Sequence, residues 1–298
     1  MSSLHRIIVL VLCQALARLG VAQSDPLVDA LRWFQADELQ KARTAVDEAV
    51  TDPRSAADPE AWLLRGFVYK ELFKESSGLN RLEALRDTAL HSLEVCIGLD
   101  REGTYRENAV QAYEYMTRTY FNDAARALND GDAIKGLEMY GRYRTSALRL
   151  DPATDLRTRD VEFYNALGST HNQQYAKDRT RTDLFEQAVD AFSASLAIDP
   201  DNHGANYNLA TLYYNRAVHA IRAVNASDDL PSLQRIQKVS REYFQKALPF
   251  MLRAHELDPA RPEVLLGLEN IYYSLGDDQR TDEYRRRYEA IVPISPER

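Results

Sequence analysis

Cysteine is almost absent. The 298 residues contain only Cys13 and Cys96, too few for a disulfide framework or a cysteine-rich metal site. Glycine and proline are also scarce, at 12 and 11, which excludes collagen-like and low-complexity linker architectures. Positive charge is in deficit. With 37 Lys and Arg against 45 Asp and Glu, the net charge of −8 supplies no basic footprint for a phosphate backbone, so general nucleic-acid binding is excluded. Beyond the N-terminus no run reaches the roughly 18 to 20 uninterrupted apolar residues of a membrane span. What remains is globular: 45% apolar and 28% charged, enough apolar material to bury a core.

The first 22 residues differ from the rest. A short polar start with Arg6, an apolar run from Ile7 to Leu12 extended by Ala15, Leu16 and Ala17, and then Gly20-Val21-Ala22 have the layout of a secretory signal peptide. Cleavage is expected after Ala22, with Ala17 as the other point that fits the small-residue rule. Residues 1–22 are therefore expected to be a signal and residues 23–298 one helical repeat domain, exported to a bacterial periplasm or cell envelope. No transmembrane span is expected after signal removal. Losing Arg6 and Arg18 makes that domain more acidic still. Leu12 stands where exported lipoproteins carry a small residue before their cysteine, so Cys13 predicts no lipid anchor. Cys96 is then alone, on an apolar helical stripe, and is expected to be a buried small side chain.

From Asp25 onward apolar residues recur at helical spacing and no stretch alternates as a half-buried strand does, which predicts an all-α fold. Asp25-Pro26 reads as a helix start, with proline at the first helical position. Breaks recur at Asp52-Pro53, Leu99-Asp100, Leu150-Asp151-Pro152, Ile198-Asp199-Pro200 and Leu257-Asp258-Pro259. Proline lacks an amide proton and forces the residue before it out of the α region, so the four breaks that contain it end a helix, and Leu99-Asp100 is read as the same stop by its place in the series. Upstream of four of them the same set recurs at i, i+4, i+7: Ala42, Val46, Ala49; Ala89, Leu93, Cys96; Ala188, Phe192, Ser195; Ala247, Met251, Ala254. One helix earlier, a small residue sits among large and aromatic ones at Ala30, Gly66, Thr117, Gly168 and Ala210, with Glu269 in the last copy. Ahead of Leu150 the expected alanine and aromatic are read as replaced by Tyr140 and Arg144.

This alternation of a Leu-Gly-Tyr helix and an Ala-aromatic-Ala helix, closed by Asp-Pro, resembles the tetratricopeptide repeat. The resemblance covers nearly all of the chain after the signal, in about six copies, several with extended helices. It implies a right-handed α-solenoid whose concave groove binds a peptide or protein. It also places inward residues at set offsets from the small position of each first helix. These are Glu114, Arg118, Phe121 and Asn122; then Asn165, Ser169, Asn172 and Gln173; then Tyr207, Thr211, Tyr214 and Asn215; then Leu266, Asn270, Tyr273 and Ser274. Amides and tyrosines dominate. Amides offer a donor and an acceptor to an extended backbone, and tyrosine adds apolar area at low entropy cost. Arg118 is the sole cation among them, so a clamp for a terminal carboxylate is not implied. A carbohydrate-binding module, with Tyr207, Tyr214 and Tyr273 stacked on sugar faces, is the other reading.

No catalytic or cofactor motif is present. His5, His91, His171, His203, His219 and His255 lie far apart and predict no metal site. Asp199, Asp201, His203 and Gly204 imitate the start of a calcium loop, but Ala210 stands where the bidentate glutamate belongs. There is no phosphate-cradling glycine run, dinucleotide fingerprint or serine elbow. Asp228-Asp229 and Asp277-Asp278 read as helix starts. Arg285-Arg286-Arg287 reads as compensation of a helix C-terminal end, with local ion pairs to Glu283 and Glu289. The expectation is a noncatalytic scaffold without cofactor.

Overall fold

The computed structural model describes residues 25–76, 79–225 and 229–292, with the side chains of 79–82 excepted. The expected signal at 1–22, with Cys13 and His5, lies outside the described residues, as do Ala226, Ser227 and Asp228. Among the described residues there are twelve helices and no strand: α1 (Pro26–Gln35), α2 (Leu39–Ala49), α3 (Pro59–Glu75), α4 (Leu79–Leu99), α5 (Arg106–Asn129), α6 (Ala133–Leu150), α7 (Arg157–Lys177), α8 (Thr182–Ile198), α9 (His203–Arg222), α10 (Leu230–Leu257), α11 (Pro262–Leu275) and α12 (Asp278–Ile291).

Helix starts follow the capping chemistry of the sequence. Asp25 accepts a hydrogen bond from the Leu27 amide at 3.0 Å ahead of Pro26, and Asp58 accepts one from Glu60 at 2.8 Å ahead of Pro59. Asn202, Asp229 and Asp277 cap α9, α10 and α12 in the same way, each satisfying an amide that the helix leaves free. The ends follow as well. Helices α6, α8 and α10 stop at the residue before Asp151, Asp199 and Asp258, which are extended with φ of −143°, −134° and −142° because the next residue is proline.

The chain forms two compact units, one up to Met116 and one from Thr117, so the division falls inside α5. In the first unit α1 pairs with α2 and α3 with α4, and α3 packs on both helices of the preceding hairpin. In the second, α7 pairs with α8, α9 with α10 and α11 with α12; each hairpin leans on the next, and the first helices α7, α9 and α11 touch in sequence. Every one of the four sets picked out by spacing is buried, from Ala42, Val46 and Ala49 to Ala247, Met251 and Ala254. Fully burying a side chain of the size of Leu93 or Phe192 stabilises by about 1.5–3 kcal/mol. The small positions explain how the helices come this close. A Cβ on Gly66 would stand 2.6 Å from Leu93, and one on Gly168 2.7 Å from the Phe192 ring.

Two expectations are corrected. The sequence reading assigned the alanine and aromatic positions of α6 to Tyr140 and Arg144, but the close approach is at Gly136, whose Cβ would stand 2.6 Å from Leu128 of α5. Gly136, Tyr140 and Tyr143 are all buried and Arg144 is half-exposed, so the copy does hold the i, i+4, i+7 pattern, one turn earlier. The shift arises because α6 runs on one turn farther past its set, from Tyr143 to Leu150, than α8 and α10 do past Ser195 and Ala254. The second concerns Arg285-Arg286-Arg287, which lies within α12, a full turn short of Ile291. The helix dipole has little effect there. Side-chain pairs account for the run: Arg285 with Glu269 at 2.8 Å and Asp282 at 3.1 Å, Arg287 with Glu283 at 3.6 Å. The Arg285 contact also shows how Glu269 is tolerated at a small position, since its carboxylate reaches across to α12.

Cys96 is fully buried. Burial pushes its thiol up to about 12, with Asp100 and Asp58 adding to the shift, so the nucleophilic thiolate is suppressed at neutral pH. Peptide mapping after iodoacetamide treatment at pH 8 is expected to find Cys96 unmodified in the native protein and fully modified in urea.

Candidate functional site

All eleven candidate groove residues lie in the second unit. Asn165, Asn172 and Gln173 stand on α7, Tyr207, Tyr214 and Asn215 on α9, and Asn270 and Tyr273 on α11. Steps of seven and eight residues return to the same face of a helix, and α9 touches both α7 and α11, so three rows become neighbours. Side-chain bonds tie them. Asn165 Nδ2 donates to Asn202 Oδ1 at 2.8 Å, the oxygen that also caps α9 through Ala205 at 2.9 Å. Ser274 of α11, whose hydroxyl donates to the Asn270 carbonyl at 2.8 Å, lies beside the Tyr214 hydroxyl.

Availability differs among the eight. Gln173 is exposed, and Tyr273 is the most exposed large side chain of the strip at 71%. Asn172, Asn215 and Asn270 are half-buried. Tyr207 and Tyr214 pack against the core shared by α10 and α11, Tyr214 with its ring 5.4 Å from Phe244, and burial raises the Tyr214 hydroxyl. The Asn165 Oδ1 is buried without a hydrogen-bond partner.

The residues from α5 are less unified. Arg118 and Asn122 are exposed. Phe121 packs edge-on against Tyr143 at 5.3 Å and Tyr140 at 6.1 Å, with the Arg159 guanidinium over its ring at 4.8 Å. It is part of the α5–α6 packing.

None of the eight residues on α7, α9 and α11 is charged, and the intervening Ser169, Thr211 and Ser274 are neutral too. At the N-terminal ends of α7 and α11 charge is paired, Arg159 with Glu162 at 2.7 Å and Arg261 with Glu263 at 2.6 Å; farther along, Arg216 of α9 bonds the Tyr175 hydroxyl and Glu269 of α11 pairs with Arg285. The strip can therefore exchange hydrogen bonds with a neutral polar ligand and contribute little ionic attraction. His171, on the buried side of α7, is held below its ordinary pKa by burial and stays neutral at physiological pH.

Among the described residues no three His, Cys, Asp or Glu side chains converge as a metal site would require. The residues that imitate a calcium loop are occupied with local structure. Asp199 accepts from the Asp201 amide at 3.1 Å, Asp201 pairs with Arg253 of α10, and Asn202 caps α9.

The sequence reading missed one cluster, a buried carboxylate between α6 and α7. Asp160 accepts hydrogen bonds from the Tyr140 hydroxyl and the Arg144 guanidinium, while the Tyr140 ring lies flat on Phe163 with centroids 3.8 Å apart. Burial, then the carboxylate, drives the Tyr140 hydroxyl upward, so it stays protonated and donates. Tyr140 and Arg144, four residues apart and out of pattern, were the available signal; their partner Asp160 carries no mark in the sequence.

No family model and no curated protein matches the chain. Solved structures similar to it include PilW, a type IV pilus biogenesis factor (16% identity, covering 92% of this chain and 96% of that one, TM-score 0.36). MamA is similar over 78% of this chain and 98% of its own, at 13% identity and TM-score 0.33. The TPR2AB domain of yeast Sti1, in complex with pHSP90, covers 89% of this chain and 90% of its own at 16% identity and TM-score 0.25. With TM-scores below 0.5 and identities below 25%, these likenesses carry no weight for function. The chain's own helices show the fold: within each unit hairpins stack in sequence order, with glycine at the contact positions of Gly66 and Gly168, in the manner of the tetratricopeptide repeat.

Proposed function

We propose that the protein is a noncatalytic scaffold that holds an extended peptide or protein segment on the α7–α9–α11 face, with no cofactor. In this reading residues 1–22 direct export and residues 23–298 work in a bacterial periplasm or envelope. The observation that carries the binding proposal is the neutral strip itself. In a chain with 28% charged residues, three adjacent helix rows present amides and hydroxyls without a charge. Amides can bond an extended backbone through both its N–H and C=O groups without selecting side-chain charge.

The test is a display library of unstructured peptides screened against the parent protein, followed by Asn172→Ala. That half-buried amide has no side-chain hydrogen bond to lose among the described residues, so melting is expected to stay within about 1 °C while affinity for a selected peptide falls roughly five- to tenfold, a lost hydrogen bond of about 1–1.5 kcal/mol. Binding is expected to change little between low and high salt. A library that yields no binder, or a variant that binds as the parent does, would remove the proposal. The exposed ring of Tyr273 favours a second reading as a carbohydrate-binding module, stacking on a sugar face. Glycan titration against Tyr273→Ala separates the two, because peptide bonding through the amides should largely survive that change.

A further inference from the structure

One buried tyrosine gathers two arginines that have no counter-ion. Tyr175, near the end of α7, is fully buried. The Arg216 guanidinium of α9 donates from Nη1 to its hydroxyl at 2.5 Å and lies 5.7 Å from its ring centroid. Arg179, in the turn between α7 and α8, places its guanidinium 4.6 Å from the same centroid. Both arginines are half-buried, and Arg179 Nη1 is buried with no hydrogen-bond partner. Aromatic side chains surround them. The Phe185 ring centroid is 5.4 Å from the Arg216 guanidinium, the Tyr243 hydroxyl lies beside Arg216, and the exposed Lys246 of α10 stands 5.3 Å from the Tyr243 ring centroid.

Neither arginine has a carboxylate within 4.0 Å among the described residues. The acids of the turn are taken. Asp178 accepts from the Thr180 amide at 3.0 Å and from its hydroxyl at 2.6 Å, and Asp183 holds Arg181 at 2.8 and 2.6 Å. Glu186 and Asp190 of α8 add to burial in raising the Tyr213 hydroxyl, but they form no ion pair with either arginine. This is unlike the half-buried arginines elsewhere in a chain whose acids outnumber its bases, since Arg65 is paired with Asp47 at 2.8 Å and Arg144 with Asp160. A ring face attracts the charge of a guanidinium but accepts none of its in-plane N–H bonds. Two cations therefore share a partly desolvated site with donors to spare, and the chain supplies no anion.

We propose that Arg179 and Arg216 bind an oxyanion, a phosphate or carboxylate group, with Tyr175 as the positioning residue that gathers both guanidinia. The planar fork of a guanidinium matches two oxygens of either group, and a bound anion offsets the repulsion between the two charges. Lys246 adds a point charge at the rim. The buried rings of Tyr175 and Phe185 limit water on one side, which strengthens charge-assisted hydrogen bonds. None of the residues assigned to peptide binding takes part, so this reading and that one fail independently.

Thermal melts of the full chain in sodium phosphate, sodium acetate and sodium chloride at matched ionic strength test this. The parent is expected to melt higher in phosphate than in chloride. A similar rise in acetate assigns the site to carboxylates, and a rise in phosphate alone assigns it to phosphoryl groups. Arg179→Gln is expected to raise the anion concentration at half of the shift about tenfold, as the loss of a charge-assisted hydrogen bond implies. In chloride it should melt no lower than the parent, because removing one of two unpaired cations relieves repulsion. Arg216→Lys keeps the charge but loses the planar fork, and should weaken the response several-fold. The general stabilisation of folded proteins by phosphate is common to parent and variants. No shift of the parent in either anion overturns the proposal, as does a parental response in both variants; the arginines would then be packing for the Tyr175 ring.

Discussion

Replacing Gly168 with alanine is expected to destabilise the protein by about 1–3 kcal/mol, although alanine is the better helix former by about 1 kcal/mol. The added methyl would lie 2.7 Å from the Phe192 ring. That ring is fully buried, so it can yield only by moving α8 or leaving its rotamer. A matched control lies on α6: a Cβ on Gly141 meets nothing within 4 Å. Gly141→Ala is expected to stabilise by about 0.5–1 kcal/mol from helix propensity alone. Thermal melts should shift in opposite directions, by about 2–4 °C per kcal/mol for a domain of this size. Gly66→Trp, against Leu93, should cost more than either. If the two alanine variants shift the same way, close helix approach at Gly168 is not what the glycine is for.

The second large effect is expected at Asp160. Asp160→Ala should cost about 2–4 kcal/mol, because the Tyr140 hydroxyl and the Arg144 guanidinium both lose their acceptor in a site where polar groups are poorly hydrated. The upper end is moderated because the Arg144 side chain is 39% exposed and can recover water. Asp160→Asn, which keeps one acceptor oxygen, should lose less. A double-mutant cycle with Tyr140→Phe should show coupling, the loss from the second change being smaller once the first is made. Urea unfolding with an unchanged denaturant slope provides the measurement. An Asp160→Ala variant within 0.5 kcal/mol of the parent would mean that the carboxylate is solvated and the pair carries no stability.

The candidate strip was partly legible. The resemblance to the tetratricopeptide repeat put Asn165, Asn172 and Gln173 on the inward face of α7, and Asn270 and Tyr273 on that of α11, without reference to any neighbour. It could not say that Tyr207 and Tyr214 spend much of their surface on the core, or that Phe121 is held by Tyr140 and Tyr143. Those outcomes depend on which helix lies alongside, and an aromatic at a half-buried position carries the same local signal whether it faces a partner or a ligand. The same limit produced the register error on α6. There the expected spacing was measured back from Leu150, while the close contact was set by Gly136 against Leu128.

Helix identity, helix ends and the buried sets followed from local rules, because a 3.6-residue period, a capping carboxylate and a proline act within one turn of chain. Ala42, Val46 and Ala49 need no distant partner to mark an inner face. Tertiary structure alone decided the rest. It brought Asp160 to Tyr140 and Arg144 across twenty and sixteen residues and placed Glu269 within reach of Arg285. Ion pairing and exposure are properties of the space around a side chain, and that space is filled by residues far away in the chain.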